Sequence, residues 1–186
     1  MTDGIDVIGI VGSLRAQSYS RRLALALAAV APEGMRVAFA PIGGLALYDQ
    51  DTEADPPAPW REFRERVRRA DAVLFVTPEY NRSVPGALKN AIDVGSRPYG
   101  HSAWKGKPCA VVSCSPGALG AFGANHHLRQ SLVFLDMPVM QQPEAYLGGI
   151  DKLVDEQGFA NPSTREFGRG FMSAFERWIR TVRGSL

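Results

Sequence analysis

The sequence has little cysteine, no long apolar run and no large surplus of charge. Only two cysteines occur among 186 residues, so we expect no disulfide framework and a reducing, cytoplasmic compartment. No apolar stretch reaches the roughly 18 residues that cross a bilayer, and the N-terminus does not resemble a secretory signal. A formal net charge of +2 gives no long-range attraction to nucleic acid. We therefore predict neither a membrane nor a nucleic-acid partner.

The two cysteines, Cys109 and Cys114, lie in one predicted strand. Because they are five positions apart, their side chains should project from opposite faces of that strand and cannot pair with each other. Both are predicted to be small, buried core residues.

What the sequence does have is a regular alternation of strand-like and helix-like segments. With 186 residues, 45% of them hydrophobic, we predict a single domain over residues 1–186. The alternation predicts an α/β fold, a flavodoxin-like three-layer sandwich with five parallel strands in the order 2-1-3-4-5. A six-stranded dinucleotide-binding sheet is the alternative, for which the chain is short. Strands are predicted at 5–11, 35–40, 72–77, 108–113 and 138–140, and helices at 18–31, 57–70, 84–96, 118–135 and 164–183.

The acidic, proline-rich segment 49–59 is predicted to be an exposed loop, with a functional lid as the alternative.

The turn after the first strand has the composition of a phosphate site. Gly12 permits a tight turn, Arg15 offers a guanidinium suited to phosphate, and the backbone N–H groups of the following helix favour an anion. Three hydroxyl groups add further donors: Ser13, Ser18 and Ser20. The turn matches neither dinucleotide nor nucleotide-triphosphate fingerprints, so it favours a monophosphate. Ordinary helix capping by serine is the alternative.

Two further loops follow the third and fourth strands. Residues 77–86 contain two prolines, with Tyr80 and Asn81 at the mouth, and a stiff loop of this kind can hold the rim of a planar ring; a turn that merely caps the third helix is the alternative. Residues 113–120 are small, so a ligand can approach their backbone closely. Together the three loops predict FMN at the switch point of the sheet.

At these loops the sequence resembles the NADPH-dependent FMN reductase family, in its quinone, chromate and azo-dye reductase branch. The matching stretches are GSLRAQSYS (12–20), TPEYNRSVPGALKNAIDVGSRP (77–98), HHLRQSLVFLDMPVM (126–140) and QPEAYLGG (142–149). The resemblance implies non-covalent FMN, a homodimer or homotetramer, and a phosphate held by the serines and arginine of residues 12–20. The predicted cofactor-binding residues are Ser13, Arg15, Ser18, Tyr19, Ser20, Pro78, Glu79, Tyr80, Asn81, Ser115, Pro116 and Gly117.

The sequence departs from the family pattern at four positions. Ser20 stands where many relatives have Asn, and Val94 stands where Trp is usual. Gly123 and His126 stand where some relatives carry Arg and Tyr. Ser20 is a conservative change for a phosphate donor, and Val94 removes bulk near the third helix. The changes at Gly123 and His126 bear on tetramer contacts and acceptor preference more than on FMN binding.

The predicted reaction is hydride transfer from NADH or NADPH to FMN N5, followed by reduction of a small acceptor in a ping-pong cycle. Quinone, chromate, an azo compound and free flavin are the candidate acceptors, and no catalytic side chain is predicted. A flavodoxin-type electron carrier and a module that binds another phosphate ligand are the alternatives.

No metal site is predicted, because the adjacent His126 and His127 point about 100° apart on a helix and Asp51 and Glu53 have no His or Cys nearby. His101 is predicted to lie in an exposed loop, with a contribution to the acceptor pocket as the alternative. The sequence leaves the choice between NADH and NADPH open.

Overall fold

The computed structural model describes residues 4–184, and its centre is one parallel sheet. The strands lie in the order β2-β1-β3-β4-β5, and every neighbouring pair is parallel. The predicted flavodoxin-like order is therefore confirmed. The strands are β1 (Ile5–Val11), β2 (Met35–Phe39), β3 (Ala72–Thr77), β4 (Cys109–Ser115) and β5 (Tyr146–Gly148).

Helices cover both faces of the sheet and produce two separate cores. On one face α1 and α5 pack against β3 residues such as Leu74 and Val76. On the other face α2, α3 and α4 pack against Val73 and Phe75 of the same strand. Because side chains of a strand alternate between faces, one buried strand supplies both cores. The helices are α1 (Tyr19–Ala29), α2 (Ala58–Arg69), α3 (Gly86–Gly95), α4 (Phe122–Phe134) and α5 (Pro162–Gly184).

The two cysteines lie on opposite faces of β4, as predicted. Both are free and buried, Cys109 in the core of α2, α3 and α4 and Cys114 in the core of α1 and α5. Helix α5 contributes the buried Phe171 and Phe175 to the same core as Cys114, and Trp178 packs partly buried beside them.

The predicted fifth strand at 138–140 is wrong. The fifth strand is Tyr146–Gly148, which pairs with the end of β4 from Ser113 to Ser115. Val139 makes only an isolated bridge to Cys109 at the start of β4. Both segments use the same edge of β4, and the preceding Pro138 has no N–H to extend the ladder there.

The predicted start of the fourth helix at 118 is also wrong, because α4 begins at Phe122. Gly120 and Ala121 have left-handed φ angles of 58° and 62°, which a right-handed helix does not accommodate. The additional loop residues lie beside the candidate site. Helix α3 begins at Gly86, directly after Pro85, rather than at 84.

Segment 49–59 is exposed for most of its length but is anchored at Glu53. The carboxylate of Glu53 accepts hydrogen bonds from both Nη atoms of Arg64, at 2.8 and 2.9 Å, and the Arg64 side chain is only 4% exposed. Arg64 Nε also donates to the Val94 carbonyl. This buried pair fixes the segment against α2 and α3. Among residues 4–184, no helix is at once long enough and apolar enough to span a bilayer.

Candidate functional site

A cavity of about 150 Å³ opens at the carboxyl ends of β1, β3 and β4. Its lining includes ten of the twelve predicted cofactor-binding residues, together with Cys114 and Ile150. The two predicted residues outside the lining are Asn81 and Gly117. We call this space the flavin cleft, the turn at residues 12–20 the phosphate loop and residues 77–86 the ring loop.

Two serines of the phosphate loop, Ser13 and Ser18, accept hydrogen bonds from backbone N–H groups, which leaves their hydroxyl protons free to be donated. Ser18 is the N-cap of α1, and its Oγ accepts from the Arg21 backbone N–H at 3.1 Å. Ser13 Oγ accepts from the Arg15 N–H at 3.4 Å. Since a hydroxyl group both accepts and donates, each can still donate to an anion in the cleft. Helix capping is therefore real for Ser18, but it does not use the hydroxyl proton.

The charged side chains of the cleft lining are Arg15 and Glu79, and only Arg15 is free to meet a ligand. The Arg15 side chain is exposed, and its guanidinium has no ion pair or hydrogen bond within residues 4–184. The one carboxylate that lines the cleft belongs to Glu79. It accepts from the Ala124 N–H at 3.0 Å and from Arg82 Nη1 at 3.4 Å, so it is already bonded to α4 and to a cation. The cleft therefore suits an anion.

Beneath the phosphate loop lies a buried thiol. Ser20 and Cys114 are both buried, and Ser20 Oγ lies 3.4 Å from Cys114 Sγ in a hydrogen bond. Burial raises the pKa of the Cys114 thiol to about 11, so the thiol stays protonated at neutral pH. Cys114 was predicted to be a buried core residue within the loop 113–120, and its side chain was not among the predicted cofactor-binding residues. Its position directly before the predicted Ser115 loop is the signal that could have placed it here.

The ring loop contains a two-residue turn. Tyr80 and Ser83 exchange both backbone hydrogen bonds, at 3.1 and 2.9 Å. Between them, Asn81 and Arg82 both have left-handed φ angles, 51° and 63°. This is the geometry of a type I′ turn, which fixes the direction of the chain tightly. Asn81 is exposed and lies outside the residues that line the cleft, and its predicted side-chain contact to a ring stays a prediction.

Helix α4 braces the ring loop at two points. Glu79 accepts from the Ala124 N–H, one of the first-turn groups that have no partner inside the helix. Ser83 Oγ is hydrogen-bonded to His127 Nδ1 at 2.8 Å. Gly123 allows this approach, because a Cβ there would lie 2.9 Å from both Glu79 Oε2 and the Arg82 carbonyl oxygen. The loop thus has a fixed backbone.

The loop after β4, residues 113–120, is fixed by hydrogen bonds of its own serine side chains. Ser113 Oγ donates to the Gly120 carbonyl at 2.8 Å and accepts from Asn125 Nδ2 at 3.1 Å. Ser115 Oγ donates to the Gly117 carbonyl at 3.0 Å. Ile150, which completes the cleft, follows β5, and it was missed because the fifth strand was predicted at the wrong segment.

An aromatic cluster lies next to this loop. The ring of Phe122 is 4.1 Å from that of His126 and 5.1 Å from that of Tyr146, and His126 Nε2 is hydrogen-bonded to the Tyr146 hydroxyl at 3.0 Å. Burial raises the pKa of Tyr146 above its usual value. His126 and His127 thus have different partners, and within residues 4–184 no group of three or more His, Cys, Asp or Glu side chains could hold a metal ion. His101 is exposed and does not line the cleft.

The donors fit a phosphate monoester joined to a flat ring. The phosphate loop presents a free guanidinium and two hydroxyl protons, which match a phosphate group. The ring loop presents backbone that is already fixed, which suits a planar ring needing hydrogen bonds in its own plane. FMN has both parts.

Comparisons with known proteins agree with this geometry. The family described as NADPH-dependent FMN reductase matches residues 5–151. A quinone reductase of Pseudomonas putida is 59% identical over 98% of this chain and 99% of its own length. A 2-hydroxy-1,4-benzoquinone reductase of a Burkholderia species is 45% identical over 94% of this chain and 96% of its own. The solved structure of a flavoenzyme NAD(P)H:(acceptor) oxidoreductase from Paracoccus denitrificans superposes with a TM-score of 0.89 at 38% identity, over 95% of this chain and 98% of that one.

Proposed function

The chain belongs to the NADPH-dependent FMN reductase family, and from that premise we propose that it oxidises NAD(P)H and passes the electrons through FMN to a quinone. It is an NAD(P)H-dependent oxidoreductase with FMN as its cofactor. The observation that carries the proposal is the pairing, in one cleft, of a free arginine on the phosphate loop with a braced backbone on the ring loop.

The phosphate loop would hold the FMN phosphate through Arg15, Ser13 and Ser18, with Tyr19 and Ser20 completing that wall. The ring would lie along the segment from Pro78 to Tyr80 and against Ser115 and Pro116. When bound, FMN supplies the hydride chemistry at its N5 atom.

Two ionisable side chains of the cleft, Glu79 and Cys114, are not placed for proton transfer. Glu79 is bonded to α4 and Arg82, and the raised pKa of Cys114 keeps its thiol protonated. The residues would therefore bind and orient the reactants, while no side chain takes part in covalent chemistry.

A quinone is the acceptor that we propose, in preference to chromate, an azo compound or free flavin. The P. putida and Burkholderia relatives are named as quinone reductases. Tyr80 lines the cleft and is 55% exposed, so it offers a flat surface at the mouth to a planar acceptor. If nicotinamide and quinone use the same face in turn, the kinetics are ping-pong.

The experiment begins with the visible spectrum of the purified protein, with and without added FMN. We expect yellow, flavin-containing protein that oxidises NAD(P)H when a benzoquinone is present. Initial rates at several fixed quinone concentrations should give parallel double-reciprocal lines. A protein that stays colourless with excess FMN contradicts the cofactor site. Flavin without nucleotide turnover would favour an electron carrier, and intersecting lines would contradict the ping-pong order.

We also propose a homodimer or homotetramer, supported by an exposed face of α4. Phe122, His126 and Val133 stand at positions i, i+4 and i+11, so they share one side of the helix. Phe122 is 49% exposed and Val133 is 70% exposed, so this side of α4 offers apolar surface to a second chain. Light scattering should give a mass of two or four chains, and Phe122→Ser should shift it toward one chain. A single-chain mass for the parent protein at micromolar concentration contradicts the assembly.

A further inference from the structure

A second cavity, of about 450 Å³, lies on the other side of the phosphate loop. It is bounded by that loop, by Arg21 of α1 and by residues 39–43 at the end of β2. We call it the β2-side cavity. Ser13 and Arg15 line both this cavity and the flavin cleft, so the two spaces are separated only by the phosphate loop.

The charge of the β2-side cavity is positive and unbalanced. Arg15 and Arg21 line it, and no acidic residue does. Within residues 4–184 neither guanidinium has an ion pair or a hydrogen bond. The neighbouring Arg22 and Arg36 differ, since they pair with Glu156 and Asp6. Two unpaired guanidinium groups thus line this one cavity, with no carboxylate among its lining residues.

The rest of the wall is apolar. Leu14 is 60% exposed although it is a large hydrophobic residue, and it lines the cavity together with Phe39 and Pro41. An apolar surface beside two guanidinium groups complements a ligand that joins a flat base to a phosphate. The adenosine half of a nicotinamide nucleotide has that chemistry.

The residues after β2 favour one form of that nucleotide. A carboxylate beside a ribose bonds a free 2′-hydroxyl and repels a 2′-phosphate, whereas a guanidinium pairs with the phosphate. Here residues 40–44 read Ala-Pro-Ile-Gly-Gly, without a carboxylate, and the adjacent side chain from α1 is Arg21.

We propose that the β2-side cavity binds the 2′-phosphorylated adenosine half of NADPH, with Arg21 as the main ligand of the 2′-phosphate. The inference rests on the proposed function, because the nicotinamide must reach the flavin cleft across the phosphate loop. Arg15, which lines both spaces, lies between the FMN phosphate and the NADPH phosphate. The enzyme then prefers NADPH to NADH.

The test compares Arg21→Gln with the parent, both saturated with FMN. In the parent, kcat/KM is higher for NADPH than for NADH. The ratio of the two values falls about tenfold or more in Arg21→Gln, as expected when a charge-assisted hydrogen bond is lost. Calorimetric binding of 2′,5′-ADP weakens by a similar factor, which gives a readout independent of turnover.

Two further variants control for charge and folding. Arg169→Gln removes the same charge from an exposed position on α5, outside the cavity lining, and leaves the ratio and the 2′,5′-ADP affinity unchanged. Arg21→Lys keeps the charge and restores most of both. The inference is overturned if the parent is active and Arg21→Gln keeps both the NADPH-to-NADH ratio of kcat/KM and the affinity for 2′,5′-ADP. It is also overturned if Arg21→Gln lowers kcat/KM equally for NADH and NADPH. A parent that oxidises neither nucleotide instead contradicts the proposed function.

Discussion

The phosphate loop and the ring loop face the same cleft but use their polar side chains in opposite ways. In the phosphate loop, the guanidinium of Arg15 is free and two serines keep a hydroxyl proton to donate. In the ring loop, Glu79 and Ser83 are both bonded to α4. One loop therefore offers side chains, and the other uses its side chains to fix a backbone.

The difference follows from what each part of the ligand requires. A phosphate group carries charge and accepts hydrogen bonds from many directions, so mobile cations and hydroxyl groups can meet it. A planar ring that reacts at one atom must be held within a fraction of an ångström, which requires a rigid support. We therefore expect changes in the phosphate loop to reduce cofactor affinity, and changes in the ring loop to reduce stability.

The largest expected effect comes from Arg15→Ala. Loss of a charge-assisted contact should weaken FMN binding by about 1.5–3 kcal/mol, which is roughly ten- to a hundredfold in Kd. Flavin fluorescence quenching on titration of the flavin-free protein measures it. Riboflavin, which lacks the phosphate, should bind the variant and the parent equally.

The ring loop supplies a matched control, Arg82→Ala. Arg82 is 73% exposed and its contact to Glu79 is long, so its loss should change FMN affinity only slightly. Equal losses in the two variants would remove the distinction between the loops, and an Arg15→Ala variant that keeps FMN as tightly as the parent would contradict the phosphate assignment.

The second effect tests the brace at Glu79. In Glu79→Ala the buried Ala124 N–H loses its acceptor, so the free energy of unfolding should fall by about 1–3 kcal/mol. Glu79→Gln keeps an acceptor oxygen and should lose less than half as much. Urea unfolding of the flavin-free proteins measures both values.

Gly123→Ala tests the same contact from the other side. The added methyl group would meet Glu79 Oε2 and the Arg82 carbonyl at 2.9 Å, so it should destabilise the protein although alanine favours helix. Gly170→Ala is its control, because that glycine of α5 has nothing within 4 Å of an added Cβ. If Gly123→Ala is as stable as Gly170→Ala, the ring loop is not held against α4.

A third effect, on pH dependence, concerns the thiol beneath the phosphate loop. The pKa of Cys114 rises from 9.0 to about 11 on burial, so between these values the unfolded chain loses its proton first and the folded chain keeps it. Stability should therefore fall as pH rises from about 9 to 11, by up to about 1.4 kcal/mol per pH unit from this group. The Cys114→Ala variant should show a shallower fall in urea unfolding. An identical slope in both proteins would contradict the burial effect on the Cys114 pKa.

The strand order and the cleft composition could be predicted because they depend on local patterns. Strand β3 is buried at every position and β1 at every position but Asp6 and Val11, and the predicted bounds 5–11 and 72–77 agree with the structure. Since the ends of parallel strands meet at one edge of the sheet, three loops far apart in sequence could be assigned to one site.

What could not be predicted depends on contacts between distant segments. The fifth strand has three residues, too few for a periodicity, and its position is decided by pairing with the end of β4. The brace between Glu79 and Ala124 spans 45 positions, and no spacing rule marks it. The left-handed φ angles of Asn81 and Arg82, which form the turn of the ring loop, were likewise not predicted, because neither residue is a glycine.

The smallest effect concerns the second point of the brace, the hydrogen bond between Ser83 and His127. Both side chains are partly solvated, so Ser83→Ala should cost only about 0.5 kcal/mol of stability. A double-mutant cycle with His127→Ala isolates that contact, because the coupling free energy excludes whatever else each substitution changes. A coupling near zero would leave Glu79 as the only residue within 4–184 whose side chain holds the ring loop to α4 by a hydrogen bond that contributes to stability. A measurable coupling would mean that α4 holds the ring loop before its turn, at Glu79, and after it, at Ser83. Two such contacts fix the orientation of the loop backbone as well as its position.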